Sequence, residues 1–253
     1  PVMYDTAEFM NREKICVIVP TYNNSGTIAD VLSRIYKITQ NIIVVNDGSN
    51  DNTKYILQNI GFSLTIVEYE QNRGKGYALK CGFRKALSMG FRNAITIDSD
   101  GQHFPEDIPI LVDAYREHPG ALVIGVRNLS QDNMPGSNTF ANKFSNFWFC
   151  VQTLVKLKDT QSGYRLYPVS RIKTSWIFTS RYEAELELLV FAAWHGIDIR
   201  QVDVRVYYPS PEERVTHFRP GYDFFRISIL NTMLCMGALF YYLPKLIYKS
   251  LKC

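Results

Sequence analysis

Ile15-Cys16-Val17-Ile18-Val19-Pro20 is the stretch whose reading decides the fold. A short apolar run rich in β-branched side chains and stopped by proline reads as a buried strand. A loop follows. Thr27 with Asp30 then resembles a capping box, and Ile28, Val31, Leu32 and Ile35 repeat at helical spacing, so a first helix packs back on the strand. The unit recurs, with strands expected at Ile42 to Val45, Leu64 to Val67, Ala94 to Ile97 and Ala121 to Val126. Between them Leu79, Phe83, Ala86 and Leu87 mark one helix, and Pro105 with Ile108, Leu111, Val112 and Tyr115 marks another. Such alternation implies right-handed βαβ units and an α/β architecture: a Rossmann-like, mostly parallel sheet flanked by helices. In sheets of this kind ligands bind beyond the carboxyl ends of the strands.

From about Gln131 the pattern changes. Phe140, Phe144, Phe147, Trp148 and Val151 form a helical stripe that reads either as core or as a membrane-facing groove. A polar loop runs from Lys158 to Arg165; Leu186, Leu189, Val190 and Ala193 suggest a helix, and Val202, Val204 and Val206 alternate as a half-exposed strand. The end, Ile227 to Leu243, is almost wholly apolar. The organisation expected is a lead-in at 1–14, one domain over 15–222 and a membrane-associating helical segment over 223–253.

A chain of 253 residues can bury roughly three quarters of its unfolded surface and needs no staples. A net charge of +4 without any long Lys/Arg block argues against nucleic acid and leaves anionic small ligands or lipid headgroups as partners. Five scattered cysteines, Cys16, Cys81, Cys150, Cys235 and Cys253, include no C-x-x-C pair, which suits a reducing compartment. No signal peptide precedes the first strand, and the start at Pro1 without Met raises the expectation of missing upstream residues. Oligomeric state is left open.

Carboxylates fall where strands should end. Asp47, in Val45-Asn46-Asp47-Gly48-Ser49, can accept hydrogen bonds from a base or ribose; the plainer reading is a cap on the next helix. Asp98 and Asp100, in Ile97-Asp98-Ser99-Asp100-Gly101-Gln102, supply hard oxygen ligands for Mg²⁺ or Mn²⁺, although Asp and Gly are also ordinary turn residues. Asn72-Arg73-Gly74-Lys75-Gly76 lacks the spacing of a P-loop. Arg73 and Lys75 would bring positive potential to a diphosphate, or are solvated loop charges. His103 is not assigned as a ligand.

Taken in order, Val17-Ile18-Val19-Pro20-Thr21-Tyr22-Asn23-Asn24, Val45-Asn46-Asp47-Gly48-Ser49, Asn72-Arg73-Gly74-Lys75-Gly76 and Asp98-Ser99-Asp100-Gly101-Gln102-His103 resemble family 2 glycosyltransferases of the GT-A fold. The branch is that of the dolichol-phosphate mannose synthases and polyprenyl-phosphate glycosyltransferases. The resemblance implies that Pro20, Tyr22, Asn24, Asp47, Arg73, Lys75 and Asp98 bind a nucleotide-diphosphate sugar, and that Asp98, Asp100 and Gln102 surround the divalent metal. Gln161-Ser162-Gly163-Tyr164-Arg165 is similar to a segment beside the acceptor phosphate, which makes Ser162 and Arg165 candidates for gripping it; the other reading of Arg165 is a salt-bridged loop residue. Tyr182-Glu183-Ala184-Glu185-Leu186 resembles an acidic segment in which Glu183 or Glu185 would serve as base if the acceptor were a hydroxyl. A lipid phosphate needs no strong base. Where the branch often has R-x-x-G-x-S-K, this chain has Glu212 to Pro220, with Arg214, His217 and Arg219 as candidates for the diphosphate.

The implied activity is inverting transfer of a sugar from a UDP- or GDP-linked donor to a membrane lipid, a polyprenyl phosphate. The alternatives are transfer to a sugar or other hydroxyl of a glycolipid or glycan and, more remotely, a non-catalytic nucleotide-sugar binding module. A dehydrogenase is disfavoured because the first βα turn has no G-x-G-x-x-G. The expected location is the cytoplasmic face of a membrane, peripheral or shallowly inserted. As a helix, Ile227 to Leu243 would be about 26 Å long, short of a roughly 30 Å hydrocarbon core, and Ser228, Asn231 and Thr232 interrupt it. Tyr241 and Tyr242 suit the interface, and Lys245, Lys249 and Lys252 suit anionic headgroups. A buried helix closing the core is the other reading.

Overall fold

The computed structural model describes residues 2–127, 136–208 and 220–251, with side chains from 5, 141 and 225 onward in the three stretches. Strands β1 (Ile15–Thr21), β2 (Ile42–Asp47), β3 (Thr65–Tyr69), β4 (Asn93–Thr96), β5 (Leu122–Arg127), β6 (Arg165–Tyr167) and β7 (Ile199–Val204) form one sheet in the order β3-β2-β1-β4-β6-β5-β7. Only β6 runs antiparallel, against β4 and β5. Strand β1 is buried along its whole length, because helices cover both faces. Its alternating side chains divide the core: Cys16 and Ile18 join one apolar cluster, while Ile15, Val17 and Val19 join the other.

The helices are α1 (Val2–Arg12), α2 (Ile28–Tyr36), α3 (Thr53–Gln58), α4 (Lys75–Ser88), α5 (Ile108–Glu117), α6 (Gly136–Thr153), α7 (Glu183–Trp194), α8 (Pro220–Gly237) and α9 (Leu243–Ser250). Residues expected to face inward on α2 and α5 do so: Ile28, Val31, Leu32 and Ile35 on the first, Ile108, Leu111, Val112 and Tyr115 on the second.

Three local expectations are corrected. The lead-in at 1–14 is a helix that packs on α5 and buries Phe9 and Met10. Thr27 does not cap α2; its hydroxyl donates to the Ser99 carbonyl at 2.6 Å, tying that turn to the end of β4. The Lys158 to Arg165 loop ends in the three-residue strand β6, too short to show a period of two. On α6 the stripe that read either as core or as a membrane-facing groove is turned largely outward. Phe147 and Val151 are exposed, while Asn142, Ser145, Gln152 and Thr153 are buried with Phe149. This inversion works because the polar groups find partners, among them Asn142 to Asp159 at 2.6 Å and Gln152 to Asn231 at 2.9 Å.

From α8 to α9 the chain is helical throughout, with a π turn at Ala238–Tyr242. Leu230, Leu234, Ala238 and Tyr242 lie in the same apolar cluster as α7 and β1, so the C-terminal segment is part of the core. Its other faces expose Phe225, Ile229, Met233, Met236, Leu239 and Phe240.

Candidate active site

The parallel register sets the floor of the site. Pairs Pro20–Val45 and Ile18–Thr96 bring the ends of β1, β2 and β4 together, so the loops carrying Tyr22, Asp47 and Asp98 share one edge. These loops are zipped to one another. Asn24 Nδ2 donates to Ser99 Oγ at 2.8 Å, Ser99 Oγ donates to the Pro20 carbonyl at 3.1 Å, and Ser25 N–H donates to Asp51 at 3.1 Å. Pro20 and Asn24 thus act through loop geometry, and Tyr22 is half-buried beside them.

Asp47 is only 3% exposed, and its carboxylate accepts from Asn72 Nδ2 at 3.0 Å, Arg73 N–H at 2.8 Å and Gly74 N–H at 2.9 Å. Burial raises its pKa against these bonds. Its visible work is to hold the turn that starts α4. Gly74 there has φ +93°, and a Cβ on it would lie 2.4 Å from the Ser180 carbonyl oxygen, so glycine is required twice over. The Arg73 side chain turns away, over Tyr77 with Nη1 2.9 Å from the phenol oxygen.

Lys75 points inward to a cluster of carboxylates. Its ammonium lies 2.7 Å from Asp98 Oδ1 and 3.1 Å from Glu185 Oε2. Burial opposes both charges, yet the pairing holds Asp98 below the usual carboxylate range and Lys75 above its ordinary value. Asp100 forms no ion pair among the described residues: burial and the charge of Asp98 push it up to about 6. One Asp100 oxygen accepts the Gln102 N–H at 2.9 Å, which shapes the turn. Burial lowers His103 to about 4, so it adds no charge, and its Nδ1 has no hydrogen-bond partner among the described residues.

Three carboxylates against one ammonium leave an excess of negative charge, and the residues that carry it, Asp98, Asp100 and Glu185, are oxygen donors of the type hard divalent cations take. Among the described residues no three His, Cys, Asp or Glu close a metal shell by themselves. These donors fit Mg²⁺ or Mn²⁺ in kind, and further oxygen ligands would have to come from a bound diphosphate or water.

The neighbouring segments correct the expected acceptor and base residues. Arg165 is fully buried, and its guanidinium donates to the carbonyls of Ser162 at 2.6 Å, Glu185 at 2.8 Å and Thr160 at 2.8 Å. It is a staple between the 160–162 turn and α7, with four of its five N–H groups engaged inside the fold. Ser162 is equally buried and its Oγ accepts the Tyr164 N–H. Glu183 is 2% exposed and bound by Arg226 Nε at 2.8 Å, while Glu185 is bound by Lys75 through Oε2, its Oε1 having no hydrogen-bond partner among the described residues. Arg214, His217 and Arg219 lie outside the described residues.

Two site residues escaped the sequence reading. Asp159, fully buried, accepts from Arg127 Nε at 2.7 Å, Arg127 Nη2 at 2.9 Å, and the N–H groups of Gln161 at 3.0 Å and Ser162 at 3.1 Å. It thereby presents Gly163 to the Lys75 cluster, and Thr96 Oγ1 secures the Gly163 carbonyl at 2.8 Å. Arg127 ends β5 as Asp47 ends β2, and its charge is felt at both Asp98 and His103. The signal was available: a charged residue closing a buried strand.

Comparison with known proteins agrees with this geometry. The sequence matches the family described as Glycosyl transferase family 2 over residues 16–162. A UDP-N-acetylglucosamine–dolichyl-phosphate N-acetylglucosaminyltransferase of Methanococcus voltae is 29% identical over 88% of this chain and 98% of its own. A polyprenol monophosphomannose synthase of Mycolicibacterium smegmatis is 26% identical over 79% and 80%. An uncharacterised protein of Methanocaldococcus jannaschii is 31% identical over 79% and 84%. Among solved structures, glucosyl-3-phosphoglycerate synthase of Mycobacterium tuberculosis with bound UDP superposes with a TM-score of 0.69 at 22% identity, covering 93% of this chain and 83% of that one. Fold, motif order and family match point the same way: the chain is a glycosyltransferase of GT-A fold and belongs to glycosyl transferase family 2.

Proposed function

We propose that the enzyme transfers a sugar, with inversion, from a nucleotide-diphosphate donor to a polyprenyl phosphate at the cytoplasmic face of a membrane. The observation that carries the acceptor class is the state of the two candidate bases. Glu183 and Glu185 are each held in an ion pair, to Arg226 and Lys75, so neither candidate base is an unpaired carboxylate waiting for the proton of a hydroxyl. A phosphate oxygen is already an anion. The relatives from Methanococcus voltae and Mycolicibacterium smegmatis carry dolichyl-phosphate and polyprenol in their names, which supports the same reading.

The roles follow from position. Asp47 and the 72–76 turn form the nucleoside side of the edge, with Tyr22 opposite. Asp98, Asp100 and Gln102 would hold the cation, whose chemistry when bound is to neutralise the departing diphosphate. Lys75, bridging Asp98 and Glu185, fixes the orientation of those carboxylates. Arg127, whose Nε and Nη2 are held by Asp159, is a further guanidinium at this edge and would meet the acceptor phosphate through its remaining N–H groups. The exposed apolar residues of α6 and α8 suit lipid far better than water and would lay the enzyme against the bilayer that presents the acceptor.

The test is product analysis with UDP- and GDP-sugars, Mn²⁺, and either undecaprenyl phosphate or a free glycoside. Charge-bearing lipid product from the polyprenyl phosphate alone is expected. Product from the glycoside alone would favour the hydroxyl-acceptor reading.

A further inference from the structure

The C-terminal helix reaches the candidate donor site through a chain of contacts that leaves almost no slack. Arg226, on α8, binds Glu183 at the first turn of α7. At the far end of α7 the Trp194 ring fills the place of a side chain at Gly237: a Cβ there would lie 2.6 Å from the ring. Lys245 Nζ closes this end by donating to the Trp194 carbonyl at 3.0 Å. The two helices therefore run alongside each other in a register pinned at both ends, by an ion pair at one and by a ring against a glycine at the other.

The opposite side of α7 meets the site just as tightly. A Cβ on Gly76 would lie 2.5 Å from the Ala184 Cβ and 2.9 Å from the Thr179 carbonyl oxygen. Tyr77 N–H donates to the Ser180 carbonyl at 3.2 Å, and Glu187 accepts from the N–H groups of Phe178 at 3.0 Å and Thr179 at 3.1 Å. Backbone rests on backbone here, and backbone transmits a shift that a flexible side chain would absorb. Glu185 sits between the two contacts and holds Lys75.

We infer that Glu183 and Arg226 are positioning residues: they seat α7 so that Glu185 and the 74–76 turn hold Lys75 and Asp98 in place, which makes the helix with the exposed apolar face one wall of the donor site. This rests on the reading of Lys75 and Asp98 as donor-site residues given above. Withdrawing the Arg226 cation leaves a carboxylate buried without its partner, and the first turn of α7 must then move to rehydrate it.

Hydrogen exchange on the full chain in detergent micelles tests the coupling without any sugar nucleotide. In Arg226→Gln, exchange is expected to rise at least about fivefold at residues 74–80 as well as at 183–190, since local opening sets the rate. Arg226→Lys, which keeps a cation opposite Glu183, should restore protection at 74–80. A rise confined to 183–190, or no rescue by Lys, would overturn the inference and leave the pair a local brace. Should Arg226→Gln fail to fold, Glu183→Gln/Arg226→Gln removes both charges at once. Faster exchange at 74–80 in that variant sustains the inference; wild-type protection there overturns it. Failure of the donor reading would instead appear as absent binding of UDP- and GDP-sugars to the wild type, whatever the exchange pattern.

Discussion

A methyl group added at Gly163 would place its carbon 2.7 Å from Lys75 Nζ, 2.8 Å from Asp98 Oδ2 and 3.0 Å from Glu185 Oε1. These atoms end flexible side chains, but each is pinned by the others, so the cluster must part to admit the carbon. Gly163→Ala is expected to cost about 1–3 kcal/mol of stability and to lower kcat at least tenfold, read by thermal melting and steady-state kinetics. A melt and a kcat both near wild type would mean that the cluster tolerates rearrangement. Asp100→Asn should behave in the opposite way on stability. The folded pKa, about 6, lies above the ordinary carboxylate value, so the fold binds that proton more tightly than the unfolded chain and the ionised form is a burden at neutral pH. Removing the charge should leave Tm unchanged or raised, while turnover falls by roughly a hundredfold or more for want of a charged ligand. Near-normal turnover at saturating Mn²⁺ would remove Asp100 from the metal's surroundings.

At the scale of elements, α6 is the most informative. A helix of a water-soluble domain hides its apolar stripe, whereas this one hides Asn142, Ser145, Gln152 and Thr153 and shows Phe147, Val151 and, just beyond its end, Leu154. Phe147→Asp/Val151→Asp should therefore leave the fold intact, because neither side chain is buried, and should weaken binding to anionic phospholipid vesicles by about tenfold or more, measured by co-sedimentation. Unchanged sedimentation would confine the membrane surface to α8 and α9. The 159–165 turn teaches a related lesson about charged residues in loops. Asp159 and Arg165 look like surface charge in the sequence, yet each is fully buried and makes its hydrogen bonds inside the fold, Asp159 to Arg127, Asn142 and the 161–162 backbone, Arg165 to three carbonyls and the Tyr167 hydroxyl.

Over the whole molecule, the C-terminal segment changes meaning. Its stretch Phe225–Ser250 is long and apolar enough to cross a membrane by length and composition. Yet Leu230, Leu234, Ala238 and Tyr242 belong to the core, and Gln152 and Arg226 tie the helix down with buried polar contacts. Standing it across a bilayer would withdraw these residues from the core. The α7 side chains that the helix covers would then meet water, and each large apolar side chain so exposed costs about 1.5–3 kcal/mol, against a total stability of about 5–15 kcal/mol for an ordinary domain. Truncation after Arg226 is accordingly expected to yield aggregated or degraded protein, scored by circular dichroism and size exclusion. A folded, monodisperse truncated enzyme would show that the helix is dispensable to the core.

The sequence by itself determined the alternating α/β architecture, because buried parallel strands and the helices that cover them carry their periods locally: the Ile15 to Val19 run and the Ile28, Val31, Leu32, Ile35 stripe need no partner to be read. It also placed Asp47, Asp98 and Asp100 at the strand ends, since chain order and strand direction suffice for that. Only the tertiary structure decided which charged groups are free. Arg165 is taken up by its own turn and by the Glu185 carbonyl of α7, and Glu183 by Arg226 in another helix altogether; a side chain's availability depends on who else reaches it. For the same reason the outward stripe of α6 was ambiguous in the sequence: its period says that one face is apolar, and only the packing of α7 and α8 against the polar face says which way it turns.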